Sequence, residues 1–219
     1  MPRLLFKKTG NAVWISHLDL MRLFQRAFKR AGLPLTHTQG FNPRPSVSIA
    51  LPLSVGVESN CEILDFDLDA DSVALEEICP RLNCCLVDGV EVLQAYDGGR
   101  KLRDLAYLRC LIKLEYDNGC AEGTVDAISE LFASESVVVE KKTKNGVQEQ
   151  NIIPMIQSVS VQKNAENLVL IDALICCQNP SLNPMQLHEA ICTYLPACKP
   201  DFARCERLEI YDADEKVFR

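Results

Sequence analysis

Four cations, Arg22, Arg26, Lys29 and Arg30, recur three or four residues apart. That spacing puts side chains on one face of an α-helix, and four bases on one face are suited to holding a polyanion. Directly after them comes HTQGFNPRPSVS, residues 37–48, a polar run with two prolines. His37, Gln39, Asn42 and Arg44 offer donors for phosphate, sugar and base edges, and Phe41 offers a ring on which a base can stack. Pro43 and Pro45 lock φ, which lowers the cost of ordering the loop on binding. The plainer reading of the helix is a solvated outer face, and that of the loop is a connection stiffened for folding. The helix alone favours the plain reading; the loop beside it shifts the balance towards a joint site for an anion.

Other residues suggest other chemistry. His17 and His37 could serve as general acid and base, in the manner of small metal-independent ribonucleases. On a helical wheel His17 projects towards the apolar side, where a histidine is more often structural. His188 and Cys192 are four apart and share a helix face, and Cys198 and Cys205 follow; together they could ligate zinc. No Cys-x2-Cys knuckle supports this, and a core histidine with core thiols is the simpler reading. Radical SAM clusters need Cys-x3-Cys-x2-Cys, and Cys79, Cys84 and Cys85 have the wrong spacing. There is no Gly-x-Gly-x-x-Gly and no Walker loop. The sequence therefore calls for no metal and no cofactor of its own.

The elements that must position these residues can be read from periodicity. Ser16 begins Ser-His-Leu-Asp, an N-cap pattern, and Gly32 and Pro34 stop a helix near Ala31. Leu20, Met21, Leu23, Phe24, Ala27, Phe28 and Ala31 line one side of it, opposite Arg22, Gln25, Arg26, Lys29 and Arg30. Strands are predicted over 3–7, 47–51, 61–68 and 90–96, with a second helix over 72–85. DGGRKLRD, 97–104, has the glycines and bases of a linker. Beyond it come a strand over 105–116, a helix over 121–133, and a strand over 136–142. An Asn-Gly turn signal follows at Asn145 and Gly146. Then come strands over 152–162 and 167–175, a helix over 183–195 and a strand over 202–211. Each half thus reads β-α-β-β-α-β, with an extra strand in the second. The predicted class is α+β: two ferredoxin-like (split βαβ) halves in tandem, 1–97 and 98–219.

The 219 residues are 47% apolar, enough for a proper core. The net charge is −7, but residues 1–60 hold eight bases and two acids, a local +6. That asymmetry points the first segment towards an anion, nucleic acid or an acidic partner. No signal-peptide h-region and no run of membrane-spanning length is visible. Eleven cysteines, two pairs of them adjacent in sequence, suit a reduced cytoplasmic chain.

The stretch ISHLDLMRLFQRAFKRAGLPLTHTQGFNPRPSVSIALPLSVGVES resembles the signature of a bacterial family of radical-SAM-linked proteins, a domain of unknown function encoded beside or fused to a radical SAM enzyme. The resemblance is dense over residues 3–68. It implies a partnership with radical SAM chemistry supplied by another chain, and by association with RNA modification; it transfers no catalytic residue. The leading expectation is a non-catalytic accessory of a radical SAM enzyme that binds RNA. Arg22, Arg26, Lys29, Arg30 and Arg44 would meet phosphates; His37, Gln39, Phe41 and Asn42 would meet sugars and bases. The alternatives are a protein-docking module whose basic face never touches RNA, and a metal-independent endoribonuclease using His17 or His37.

Overall fold

The computed structural model describes residues 2–69, 73–143 and 146–219. The fold is mixed α+β, with four α-helices and ten strands among the described residues. The chain divides into two compact units, one running up to Leu102 and including Arg219, the other spanning Arg103–Phe218.

The first unit contains β1 (Arg3–Lys8), α1 (His17–Arg30), β2 (Val47–Ile49), β3 (Val57–Phe66), α2 (Leu75–Asn83) and β4 (Val90–Tyr96). β1 pairs antiparallel with both β3 and β4. β2 pairs antiparallel with β3. Leu64 is opposite Leu4 on one edge and Ile49 on the other, so the order is β4-β1-β3-β2. The core lies between this sheet and the two helices. Leu20, Phe24, Ala27 and Phe28 of α1 pack with Leu4, Phe6, Leu64 and Phe66 of the sheet and with Ile78 and Leu82 of α2. Phe6 meets Phe24 edge-on at 4.8 Å between centroids, and Phe28 meets Phe66 at 5.1 Å. Each fully buried side chain of this size contributes about 1.5–3 kcal/mol, so α1 is anchored firmly by one face while its other face stays free. β3 begins four residues before the predicted start. Its Cys61, Glu62, Ile63 and Leu64 are all buried, which breaks the alternation expected of a half-buried strand.

The segment after β4 is held to the first unit. The Arg100 amide donates to the Arg219 carbonyl, and the Arg3 guanidinium donates to the Arg100 carbonyl. A Cβ at Gly99 would lie 2.7 Å from Arg3 Nη1, so the glycine is there for close approach.

The second unit contains β5 (Leu105–Glu115), α3 (Thr124–Ala133), β6 (Val138–Thr143), β7 (Gly146–Asn151), β8 (Ile156–Ala165), β9 (Leu168–Cys176), α4 (Met185–Tyr194) and β10 (Phe202–Asp212). Its sheet has the order β10-β5-β9-β8, all antiparallel. β6 and β7 form a separate two-stranded ribbon. The sequence reading missed β7 and expected the turn to lead into the strand at 152–162. GVQEQN has a single aliphatic residue, Val147, and that residue is exposed; a strand with no buried face leaves no alternating signal. Of the turn itself, Lys144 and Asn145 lie outside the described residues.

No helix among the described residues is long and apolar enough to cross a membrane.

Candidate nucleic-acid interface

α1 is capped at both ends, and the caps set its position. At the start the Ser16 hydroxyl accepts the Asp19 amide at 3.2 Å. The same hydroxyl donates to the Asp19 carboxylate at 2.8 Å, and Arg22 pairs with that carboxylate at 2.9 Å. These contacts, the Ser16 hydrogen bond first and then Arg22 and the field of Arg26, hold the Asp19 carboxyl below its ordinary range. At the far end the Leu33 amide donates to the Phe28 carbonyl and the Gly32 amide to the Lys29 carbonyl. This is a Schellman closure, and Gly32 takes the left-handed φ of 65° that it requires. Arg81 of α2 completes it, donating to the Ala31 carbonyl at 2.7 and 3.1 Å and to the Gly32 carbonyl at 3.0 Å. A cation on the last carbonyls also opposes the negative helix end.

The outward face carries the predicted stripe. Arg22, Arg26, Lys29 and Arg30 are all exposed. Arg22 is engaged with Asp19, whereas Arg26, Lys29 and Arg30 meet no carboxylate among the described residues. They form a positive ridge without ion pairs among the described residues, though Arg26 lies in the field of Asp19, on a chain of net −7.

The proline-rich segment is a narrow ribbon. The Ser46 amide donates to the Thr36 carbonyl and the Thr38 amide to the Arg44 carbonyl, both at 2.8 Å. His37 bridges Pro45 between them. The Thr38 hydroxyl accepts the Arg44 amide, and the Thr36 hydroxyl donates to Asp67 at 3.0 Å. Its stiffness therefore comes from this short ladder as well as from Pro43 and Pro45. The tip, Gln39 to Pro43, is exposed, and Phe41 is fully so. Gly40 adopts a φ of 142°, open to glycine and strained for other residues.

Two grooves flank the ridge. One, of about 500 Å³, is lined by Ile15, Asp19, Arg22, Leu23, Arg26, Arg30 and the Cys85–Val87 end of the loop after α2. The other, of about 390 Å³, is lined by Gln25 and Lys29 of α1, Gly32 to Leu35, and His37 and Pro45 of the ribbon. Helix and ribbon therefore share a wall, and Lys29 and His37 line one hollow. Gln39, Phe41, Asn42 and Arg44 lie further out on the ribbon and line neither groove. Gln25 was read only as part of the polar face. Its position one turn from Lys29 is the signal that could have placed it in the site, but which element faces it depends on the path of the ribbon.

The remaining candidates separate. His17 is the first residue of α1, while the hollow that His37 lines begins eight residues later, about 12 Å along the axis. His17 lines neither groove, and its buried Nδ1 has no hydrogen-bond partner among the described residues. His188 and Cys192 meet at 3.3 Å on α4. Burial, and then Lys199, lower the His188 pKa. Cys205 lies on β10, buried, where its hydrogen bond with Cys110 and then burial push the Cys110 thiol well up. Among the described residues no three His, Cys, Asp or Glu side chains gather so as to hold a metal ion.

A family model described as "Uncharacterized protein conserved in bacteria" (DUF2344) matches residues 2–184. The chain belongs to this family. The match takes in α1, the ribbon and both grooves of the DUF2344 chain. No curated protein matches it in sequence. In structure, the DUF2344 chain is similar to a chain in "Crystal Structure of a Cbf5-Nop10-Gar1 Complex", with a TM-score of 0.51 at 7% identity over 95% of its residues. It spans 48% of that chain. The likeness is one of fold. A second structure, "Crystal Structure of an Unknown Protein from Galdieria sulphuraria", aligns over 94% of the DUF2344 chain and 95% of its own at 11% identity. Its TM-score of 0.27 is too low to support a shared fold.

Proposed function

We propose that this chain is a non-catalytic, cytoplasmic accessory that binds single-stranded RNA on α1 and the ribbon and presents it to a radical SAM enzyme. The observation that carries the reading is the ridge of Arg26, Lys29 and Arg30, exposed and unmatched by carboxylates, beside a pre-ordered ribbon ending in an exposed aromatic ring. Phosphate contacts from such a ridge supply affinity, and stacking on Phe41 suits unpaired bases. The radical SAM partner rests on the sequence resemblance over residues 3–68. Since the chain has no Cys-x3-Cys-x2-Cys run, the cluster would belong to that partner. The orders β4-β1-β3-β2 and β10-β5-β9-β8 support reading the units as tandem split-βαβ halves, the second carrying the β6–β7 ribbon as an insertion.

The test is RNA binding across a salt series. With about four phosphate contacts on a single strand, log K should fall with log salt at a slope of about −3. Arg26→Glu combined with Arg30→Glu should abolish most of that affinity while leaving thermal stability unchanged. Salt-independent binding, or full affinity in the reversed variant, would overturn the reading.

A second reading has its own observation. Trp14 and Leu18 are exposed at 65% and 67% beside the start of α1, which favours a protein surface docking there. If the charge-reversed variant loses the partner enzyme in a pull-down and the wild type binds no RNA, protein docking is the function of this face. The endoribonuclease reading ends if labelled RNA stays uncut by the wild type.

A further inference from the structure

The two grooves differ in chemistry, and the difference suggests a division of labour. The first has three guanidinium groups, Arg22, Arg26 and Arg30, around its rim. The second has an apolar wall of Pro34 and Pro45, backed by Leu33 and Leu35 buried beneath them. Its polar groups are Gln25, Lys29 and His37. None of these three side chains has a hydrogen-bond or ion-pair partner among the described residues. Gln25 is half-buried as a residue, and its amide is left open to a ligand. The floor is fixed from below by the Schellman closure of α1 and from the side by the His37–Pro45 bridge.

We propose that this hollow is a nucleobase pocket, and that it takes one unstacked base from the single strand whose phosphates lie along the ridge. The inference rests on the RNA reading given above and deepens it. A base has two flat apolar faces and an edge of donors and acceptors. The prolines, backed by the buried leucines, match the faces. The Gln25 amide, with one acceptor and two donors, matches the edge. Lys29 stands where the ribbon meets the ridge, placed for the phosphate of the nucleotide that turns inward. The volume of about 390 Å³ leaves room for a base and part of its sugar. Phe41 lies four residues beyond His37, its Cα within about 14 Å of the Cα of His37, so a neighbouring base can stack there while the first is held. A duplex keeps its bases paired and stacked and cannot fill the hollow.

The experiment uses the full chain and a single-stranded octaribonucleotide carrying 2-aminopurine, an abasic octamer of the same charge, and a duplex of the same sequence. Expected for the wild type is tight binding of the single strand, a rise in 2-aminopurine fluorescence as the base leaves its neighbours, and a loss of about tenfold for the abasic strand. Gln25→Ala should weaken the base-bearing strand about tenfold and leave the abasic strand unchanged. That contrast is one a general loss of fold would not produce. Equal affinity for the abasic strand, equal affinity for the duplex, or an unaffected Gln25→Ala variant would overturn the pocket. In those cases salt-sensitive binding that Arg26→Glu and Arg30→Glu abolish would leave the docking surface standing. Failure of every strand to bind at low salt would overturn both.

Discussion

Phe41 stands at the tip of the ribbon with its ring fully in water, so its removal tests recognition without testing the fold. Phe41→Ala should leave the melting temperature unchanged and weaken single-stranded RNA by about 1–3 kcal/mol, the worth of one stacked base; paired calorimetry and binding titrations would check it. His188 tests a different property. Burial lowers its pKa from 6.5, so the folded state resists the proton that the unfolded chain accepts. Stability should therefore be full above about pH 6.5 and fall as the pH drops from there towards the folded value. Urea midpoints at neutral and mildly acidic pH should show this fall in the wild type and a smaller one in His188→Gln. Among the described residues the same side chain hydrogen-bonds to Cys192, which makes it a packed histidine within α4.

The ridge keeps its place because α1 is held by one face and both ends. Its four fully buried residues anchor it, Ser16 caps the start, and Arg81 binds the last carbonyls across from α2. Arg81→Ala removes three hydrogen bonds to Ala31 and Gly32 at a partly exposed site. It should cost about 1–2 kcal/mol by chemical denaturation, since bonds to charged donors exceed neutral ones but are weakened by solvent here. Because Gly32 also lines the hollow, the variant should bind RNA more weakly than its lost stability alone explains. The ribbon is a different kind of element. It has almost no buried side chains between Thr36 and Ser46, and is shaped by backbone ladder bonds and the Thr36–Asp67 contact.

Across the molecule the thiols report where the fold is closed. Cys84 is exposed, whereas Cys61, Cys110 and Cys205 are buried; burial also pushes the Cys177 thiol up to about 12. Alkylation of the native protein near pH 8 should label Cys84 first, with Cys61, Cys110, Cys177 and Cys205 reacting only as the units unfold. Mass spectrometry of partially labelled protein would check that order. Electrostatics also acts at this scale: net −7 repels RNA at long range, so the proposed binding would have to be local to the ridge, within about a Debye length of its cations.

Much of this protein was readable in the order of its residues. The period of three and four in residues 17–30, the Ser16 cap and the Gly32 stop determined α1 and its two faces, because a helix is decided by neighbours within one turn. Local alternation likewise marked β5, short apolar runs marked β1, β4, β9 and β10, and the resemblance over residues 3–68 pointed to a bacterial domain of unknown function, which is as far as the family match over residues 2–184 goes. Only the tertiary structure decided which strands lie side by side, that β6 and β7 stand apart as a polar ribbon, and that Arg81 closes a helix fifty residues away. It also decided that Gln25 and Lys29 share a hollow with His37 and Pro45, while His17 and His37 do not meet. Those relations depend on long-range packing of buried side chains and on backbone hydrogen bonds, neither of which leaves a periodic trace in a sequence.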